Sequence, residues 1–151
     1  MMKVKGIKKS YGTGAGRIEV LKGIDLEIKK GESLALIGKS GSGKSTLLSL
    51  MAGLDKGDAG EVFINDKDLM LMSEKELTQF RAKHMGIVFQ QFHLVSTLTA
   101  YENVLLPLEL SKQEDAHSKA INLLESVGLS HRAHHLPSEL SGGESQRVAI
   151  A

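Results

Sequence analysis

The sequence predicts an α/β fold with strands in the first part of the chain and helices in the later part. Three observations support this. β-Branched residues with partial alternation dominate the first strands, a short apolar run leads through a glycine-rich loop into a helical segment, and apolar residues recur at helical spacing in the later part. A chain of 151 residues is long enough for one domain with a core of its own.

Local signals give the order of the elements. Ser73 and Thr99 are favourable N-caps, Gly53 and Gly128 are favourable C-terminal caps, and Pro107 predicts a kink. The predicted strands cover residues 4–11, 18–28, 33–37, 61–64 and 86–89, with a turn at 65–66. The predicted helices cover residues 44–52, 74–83, 100–106 and 113–127, and a last helix begins at about residue 141.

Composition limits the classes of function. A formal net charge of +1 gives no electrostatic reason to expect nucleic-acid binding, and the absence of cysteine excludes disulfides, thiolate metal sites and cysteine nucleophiles. The first residues lack the apolar run of a signal peptide, and no stretch reaches the ~20 apolar residues of a membrane-spanning helix. We therefore expect a chain that is soluble by itself and meets a membrane only through a partner.

Residues 38–45 form a glycine-rich loop that fits the pattern G-x-x-x-x-G-K-[ST] in full, between a predicted strand and a predicted helix. Glycines let the backbone curl so that successive N–H groups converge on phosphate oxygens. We predict that Lys44 reaches the β- and γ-phosphates of a nucleoside triphosphate, and that Ser45 binds Mg²⁺ with Thr46 beside it. The alternative is a loop that only links a strand to a helix. The remaining predicted phosphate-binding residues are Gly38, Lys39, Ser40, Gly41, Ser42 and Gly43.

A second segment, Leu140-Ser141-Gly142-Gly143-Glu144, lies about 100 residues further on and is followed by Gln146-Arg147. Its serine can cap a helix, and its two glycines then expose N–H groups at the helix start, which makes a second site for an anion. The alternative is an ordinary helix cap with a glycine-rich lead. The segment resembles the LSGGQ signature of the ATP-binding-cassette (ABC) family, with Glu144 in the last place.

The resemblance covers essentially the whole chain and brings its own expectations. It implies a P-loop NTPase fold with an N-terminal antiparallel β subdomain and a helical subdomain that bears the signature, divided as residues 1–90 and 91–151. Ser141, Gly142, Gly143 and Glu144 would face the γ-phosphate held by the P-loop of a second subunit, so that two chains bind ATP head to tail. A transmembrane permease would hold the chain in the cytoplasm, on the inner face of the cell membrane.

Two further positions match landmarks of the family. Gln90 stands where the family has its Q-loop glutamine, and the resemblance assigns it, with Lys44, to catalysis and, with Ser45, to Mg²⁺. A polar strand end is the alternative, and Gln91 is the second choice for the glutamine. Tyr11 stands where the family has an aromatic residue that stacks on adenine, and the alternative there is a strand-end aromatic packed on the core.

The family pattern continues beyond the point at which this sequence ends. Seven residues follow Glu144, and they cannot supply the Mg²⁺-binding Asp, the Glu that activates water, the D-loop or the switch His. We therefore interpret the chain as part of a longer protein, with the C-terminal part of the core missing. We expect this part to bind ATP with little hydrolysis and to be poorly stable by itself, because an apolar sheet edge would be left open.

The function implied by the resemblance is that of an ATP-binding subunit of an ABC transporter, an ATPase in its complete form. Residues 13–17 and 85–104 look most like the lipoprotein-releasing and macrolide-exporter ATPases, which favours export. Three alternatives stay open: a soluble ABC protein of DNA repair or translation, a module that binds ATP without hydrolysing it, and a P-loop kinase.

Two other patterns are interpreted as structural. His131, His134 and His135 have the spacing of helical metal ligands, but no acidic or thiol ligand is near them in sequence, and a solvated surface is favoured. Residues 62–66 are superficially similar to a Walker B strand. They precede the signature segment, however, and we predict a turn aspartate at Asp66.

Overall fold

The computed structural model describes residues 1–151, apart from the side chain of Ala15. The chain separates into two units, Met1–Gly86 and Ile87–Ala151, and each unit has a hydrophobic core of its own. The first unit contains the predicted P-loop, and the second contains the predicted signature segment. The domain division predicted between residues 90 and 91 stays a prediction.

The first unit is built on a four-stranded antiparallel sheet. Its strands follow the order β2-β1-β3-β4, with β1 over Met2–Tyr11, β2 over Ile18–Ile28, β3 over Ala59–Ile64 and β4 over Lys67–Asp68. β1 pairs with β2 from Met2 opposite Ile28 to Tyr11 opposite Ile18. The residues between β3 and β4, Asn65 and Asp66, both have positive φ, as in a two-residue hairpin turn, and this confirms the predicted turn.

Two helices complete the first unit, α1 over Lys44–Met51 and α2 over Glu74–His84. Gly53 has φ of 61° and ends α1 with the paired hydrogen bonds of a Schellman motif. Ser73 and Glu76 form a capping box at the start of α2, as predicted from their spacing. Local sequence signals therefore define both ends of the P-loop helix and the start of the next.

One face of the sheet packs on α1. Val4, Ile7 and Val62 are buried on the sheet, and Leu47 and Leu50 are buried on the helix. Burying one such aliphatic side chain stabilises a fold by roughly 1.5–3 kcal/mol. This contact holds the sheet against the helix that follows the P-loop.

The second unit is helical. Thr99 caps α3 together with Glu102, and Gly128 ends the turn after α4 with φ of 72°, as predicted. A cluster of buried apolar side chains joins the helices. None of the helices in the described chain combines the length and the apolar character that a membrane crossing requires. The helices are α3 over Ala100–Leu110, α4 over Ala116–Ser126 and α5 over Gly142–Ile150.

Two helix boundaries differ from the prediction. α3 continues through Pro107 to Leu110, because a proline removes one backbone donor only and its carbonyl still accepts from the N–H of Ser111 at 3.1 Å. α4 begins at Ala116 rather than at residue 113. The cause is Asp115, whose φ of 57° interrupts the helical backbone.

The prediction of strands over two segments is wrong, because neither segment belongs to a sheet. Residues 33–37 and 86–89 pair with no other strand of the described chain. A strand is held by hydrogen bonds to a neighbour, so an apolar run does not form one by itself. Leu34 and Ile37 are instead 46% and 93% exposed.

Candidate functional site

The predicted P-loop lines a cleft of about 630 Å³ in the first unit. Tyr11, the last residue of β1, and Val20, in β2, line the same cleft. Gly38 and Ser42 line an adjoining cavity of about 300 Å³. The structure thus brings Tyr11 together with the glycine-rich loop. The loop residues that line the larger cleft are Ser40, Gly41, Gly43, Lys44, Ser45 and Thr46.

Glycines allow the loop to lie close to the sheet. Gly43 has φ of 87°, and a Cβ there would lie 3.0 Å from Leu21 Cδ2 and 3.1 Å from Val20 Cγ1. A Cβ on Gly38 would lie 3.0 Å from Ser42 Oγ. The missing side chains leave a concave backbone surface, which is the usual form of a phosphate site.

The Lys44 ammonium lies within the loop. Its Nζ donates to the carbonyl oxygens of Gly38 at 2.8 Å and Lys39 at 2.7 Å, and lies 3.4 Å from Ser42 Oγ. All of these acceptors are neutral, so the positive charge of the lysine is not compensated there. A charged acceptor makes a hydrogen bond roughly twice as strong as a neutral one, so a phosphate oxygen would compete well for this ammonium.

The start of α1 presents donors that lack acceptors. Its N-cap is Gly43, which makes no side-chain hydrogen bond, and the first helical bond runs from the N–H of Leu47 to Gly43 O at 2.8 Å. Within the described chain, the N–H groups of residues 43–46 have no protein acceptor. The helix dipole adds positive potential at the same place. The exposed hydroxyl of Ser45 is an oxygen ligand of the kind that Mg²⁺ prefers.

Tyr11 is an exposed aromatic at the edge of the cleft. It is 46% exposed and does not belong to the buried core. Its Oη donates to Asp55 Oδ2 at 3.1 Å, and Lys9 Nζ lies 5.1 Å from the ring centroid. Lys9 and Asp55 are not among the site residues predicted from sequence. Two signals could have found them: Lys9 lies on the same strand face as Tyr11, and Asp55 closely follows Gly53, where α1 ends.

Gln90 lies in the second unit, in a turn and not at the end of a paired strand. The N–H of Phe92 donates to Phe89 O at 3.0 Å and closes the turn, and the rings of Phe89 and His93 stack with centroids 4.4 Å apart. The expected strand end is replaced by a turn because residues 86–89 have no strand to pair with. Gln90 and Gln91 are both exposed, and an exposed amide oxygen keeps its capacity to bind a cation or a water.

The signature segment forms the start of α5. Ser141 Oγ accepts from the N–H of Glu144 at 3.3 Å, and Glu144 Oε2 accepts from the N–H and the Oγ–H of Ser141, both at 2.8 Å. This capping box confirms that Ser141 caps the helix. The N–H groups of Gly142 and Gly143 have no acceptor in the part of the chain that the structure describes. Two donors are therefore left at this helix start.

Glu144 is held on both of its oxygens. Arg132 Nε donates to Glu144 Oε1 at 3.0 Å, while Ser141 bonds to the other oxygen. The hydrogen bonds from the backbone and the hydroxyl of Ser141, together with the positive charge of Arg132, lower the pKa of Glu144 to about 2. The side chain is therefore an ion-paired carboxylate that caps the helix, and both of its oxygens already accept hydrogen bonds within the second unit.

The three histidines differ in their surroundings. His131 and His134 are exposed, as expected. His135 is half-buried instead, with Nε2 3.1 Å from Arg132 Nη1 and with a buried Nδ1 that has no hydrogen-bond partner in the described chain. Among the residues that the structure describes, no group of three His, Cys, Asp or Glu side chains is placed to hold a metal ion.

Known proteins resemble this chain over its whole length. Residues 21–151 match the family model described as ABC transporter. The chain is 47% identical to LolD, the lipoprotein-releasing system ATP-binding protein of Bdellovibrio bacteriovorus, over 99% of the chain and 69% of that protein. It is 50% identical to YbbA, an uncharacterized ABC transporter ATP-binding protein of Escherichia coli, over 100% of the chain and 67% of that protein.

A solved structure gives the same result at the level of the fold. The dimeric ATP-binding cassette MJ0796, in a post-hydrolysis state bound to ADP and Pi, is similar with a TM-score of 0.91 and 42% identity, over 99% of this chain and 67% of that one. This chain therefore spans about two thirds of the length of the proteins it matches.

Proposed function

This chain belongs to the ABC transporter family, and from that premise we propose that it binds Mg-ATP as the ATP-binding subunit of a transporter. Its fold class is the predicted one, an ABC-type P-loop fold with an antiparallel sheet and a helical part. The observation that carries the proposal is the cleft in which Tyr11, Lys44 and Ser45 meet at the uncapped start of α1.

In this proposal the loop and α1 bind the triphosphate. Lys44 exchanges its bonds to the carbonyl oxygens of Gly38 and Lys39 for bonds to the β- and γ-phosphates. The N–H groups of residues 43–46 bind further phosphate oxygens. Because these donors already converge in one loop, little conformational entropy is lost when the phosphates bind.

Ser45 and Gln90 are the proposed protein ligands of Mg²⁺. A hydroxyl and an amide oxygen are both hard donors, and both side chains are exposed. When bound, the ion neutralises charge on the β- and γ-phosphates. Gln90 is also the proposed ligand of the attacking water, through the same amide oxygen.

Tyr11 is the proposed contact for the adenine base. It lines the cleft beside the phosphate-binding loop, and its exposed ring is a surface on which a flat base can stack. Stacking on one aromatic ring is tolerant of base type, so this contact supplies affinity more than selectivity.

Two copies of the chain are proposed to complete each site head to tail. The N–H groups of Gly142 and Gly143 and the positive potential at the start of α5 suit the γ-phosphate held by the other copy. Ser141 and Glu144 contribute by capping the helix that presents these groups. The dimeric state of the MJ0796 structures supports this arrangement.

Transport through a membrane permease is proposed from the relatives. LolD is named for a lipoprotein-releasing system, which supports export of a lipid-modified protein and a position on the cytoplasmic face of the membrane. The family hydrolyses ATP in its complete proteins. For these 151 residues by themselves we propose ATP binding with little turnover, since no Asp or Glu among the described residues lines the cleft and could activate the attacking water.

Equilibrium binding of Mg-ATP and of Mg-tripolyphosphate tests the proposal. Lys44→Ala is expected to weaken both by about 30-fold, because a charge-assisted hydrogen bond to each phosphate is lost. Lys30→Ala is the matched control, since Lys30 is exposed in a turn and does not line the cleft. Phosphate release, followed in the same samples, should stay near background.

The outcomes separate the parts of the proposal. Binding that Lys44→Ala leaves unchanged would contradict the phosphate site. Sustained phosphate release that Lys44→Ala abolishes would contradict the proposed lack of turnover and leave the binding site intact. Urea unfolding of each variant identifies a loss of affinity that is caused by a loss of fold.

A further inference from the structure

Tyr11 is held by two charged side chains that the proposed function has not used. Its Oη donates to Asp55 Oδ2 at 3.1 Å. Lys9 Nζ donates to Asp55 Oδ1 at 2.8 Å and lies 5.1 Å from the centroid of the Tyr11 ring. Each of the three side chains therefore contacts the other two, and we name them the Lys9–Asp55–Tyr11 cluster.

The cluster is anchored to the main chain. Lys9 Nζ donates to Lys56 O at 2.7 Å, and the N–H of Lys56 donates to Asp55 Oδ1 at 2.7 Å. The Lys9 side chain is only 12% exposed, so its ammonium is largely shielded from water. Burial by itself would raise the pKa of Asp55, but hydrogen bonds from Lys9, from the Lys56 backbone and from Tyr11 lower it below its ordinary value. The carboxylate is thus ionised at neutral pH, and each of its oxygens accepts a hydrogen bond within the cluster.

The Tyr11 ring keeps a free surface at the cleft. Tyr11 lines the cleft and is 46% exposed, whereas Lys9 does not line it. The cation over the ring and the hydrogen bond at Oη restrict both side-chain torsions of the tyrosine. A ring that is ordered in advance loses less entropy when a flat ligand stacks on it.

Residues 55–58 connect the Tyr11 ring to α1, the helix that begins at the proposed phosphate site. Asp55 follows the C-terminal end of α1, whose start belongs to the P-loop. Asp58, three residues after Asp55, also forms hydrogen bonds with β1. Its N–H donates to Lys8 O at 2.8 Å, and its Oδ2 accepts from the N–H of Ser10 at 2.8 Å. Residues 55–58 therefore tie the end of β1, which carries Tyr11, to the helix that begins at the phosphate site.

We propose that Lys9 and Asp55 are positioning residues for the base of the nucleotide, which hold the Tyr11 ring where the base stacks on it and do not contact the phosphates. The inference rests on the proposed ATP site and adds two residues to it. Its consequence is that changes at Lys9 and Asp55 weaken the binding of a ligand only when that ligand carries a base.

Mg-ATP and Mg-tripolyphosphate, bound to the 151-residue chain, form the test because they differ by the adenosine group. The readout is the ratio of the tripolyphosphate dissociation constant to the ATP dissociation constant, which measures the adenosine contribution. Lys9→Met keeps an unbranched apolar side chain without the cation and is expected to lower this ratio about threefold, as is Asp55→Asn. Tyr11→Ala is expected to lower it about tenfold. Tripolyphosphate affinity should stay unchanged in all three.

Lys5→Met is the matched control. Lys5 Nζ also lies over an aromatic ring, 5.0 Å from the centroid of Phe63, and also pairs with a carboxylate, that of Glu61 at 3.8 Å. None of these three residues lines the cleft. The ratio should therefore not change in Lys5→Met. In a Tyr11→Ala background, Lys9→Met should have no further effect, because Lys9 acts through the ring.

Each of the following outcomes would overturn the inference. If Lys9→Met lowers the affinity for both ligands by the same factor, the cluster has a structural role only. If Lys9→Met leaves both affinities, and therefore the ratio, unchanged, Lys9 does not position the base. The same conclusion follows if Lys9→Met lowers the ratio by the same factor in the original chain and in the Tyr11→Ala background. Failure of the proposed function has a different signature, namely tripolyphosphate binding that does not depend on Lys44, and it would overturn both proposals.

Discussion

The starts of α1 and α5 are built in opposite ways. At α1 the N-cap is Gly43, whose missing side chain caps nothing, and the Lys44 ammonium lies in the preceding loop. At α5, Ser141 and Glu144 satisfy each other's polar groups, and Arg132 neutralises the acid. Within the described chain, four successive N–H groups lack an acceptor at α1, and the two glycine N–H groups lack one at α5.

This difference indicates two different tasks. A glycine N-cap costs only roughly a few tenths of a kcal/mol relative to a serine, but it leaves the first N–H groups without acceptors, which a bound anion can supply. The α1 start is therefore suited to bind phosphate by itself. The α5 start has a side-chain cap without a ligand and keeps only the two glycine N–H groups without acceptors. This fits the proposed role of meeting a phosphate that another copy already binds.

The largest effect is expected from crowding the α1 start. Gly43→Ala places a Cβ 3.0 Å from Leu21 and 3.1 Å from Val20 at φ of 87°, so we expect the free energy of unfolding to fall by about 3 kcal/mol and ATP binding to be lost. Gly41→Ala is the matched control, because Gly41 also has positive φ, 77°, but a Cβ there meets nothing within 4 Å. It should lower the free energy by about 1 kcal/mol. Equal losses in urea unfolding would show that crowding does not matter.

Smaller effects are expected from two serine substitutions, one of which should change stability only and the other Mg-ATP affinity only. Ser141→Ala removes the α5 cap and should lower the free energy of unfolding by about 1 kcal/mol, with ATP affinity of the single chain unchanged. Ser45→Ala should leave stability unchanged, since its exposed hydroxyl caps nothing, and should weaken Mg-ATP binding about fivefold. Urea unfolding and equilibrium binding of both variants check this. If both serines alter the same property, the two helix starts do not divide these tasks.

The smallest effect is expected from pH at the α5 start. The folded pKa of Glu144, about 2, is lower than its ordinary value, so the ionised carboxylate stabilises the folded chain above about pH 5 and loses this effect as the pH falls towards 2. Glu144→Gln keeps a capping side chain without the charge. Its urea midpoint should therefore be lower than that of the original chain at neutral pH, and the difference should vanish at acid pH. Glu125→Gln, at an exposed position of α4, is the control. A difference that grows on acidification would contradict the ion pair.

Much of this comparison can be predicted from sequence because its causes are local. A serine three residues before a glutamate specifies a capping box at Ser141 through contacts within one turn. The spacing of glycines around Lys44 specifies a curled loop in the same way, since only the neighbouring backbone is involved. The domain boundary and the roles of single site residues remain predictions.

The failures have non-local causes. Residues 33–37 have the composition of a buried strand, but a strand exists only when a neighbour supplies hydrogen-bond partners, and composition does not reveal that neighbour. The helix predicted over 100–106 continues to Leu110, because Pro107 removes a single donor and the buried face of α3, with Val104 and Leu105, packs in the core of the second unit.

The sequence by itself determined the family, the glycine-rich loop proposed to bind phosphate and the helix caps, because each depends on residues that are close along the chain. Only the tertiary structure decided which side chains support Tyr11 and which residue neutralises Glu144. Lys9 and Asp55 are 46 positions apart, and Arg132 and Glu144 are 12 positions apart. No periodicity or motif links residues at such separations, so their pairing follows from how the elements pack and not from how they are spaced.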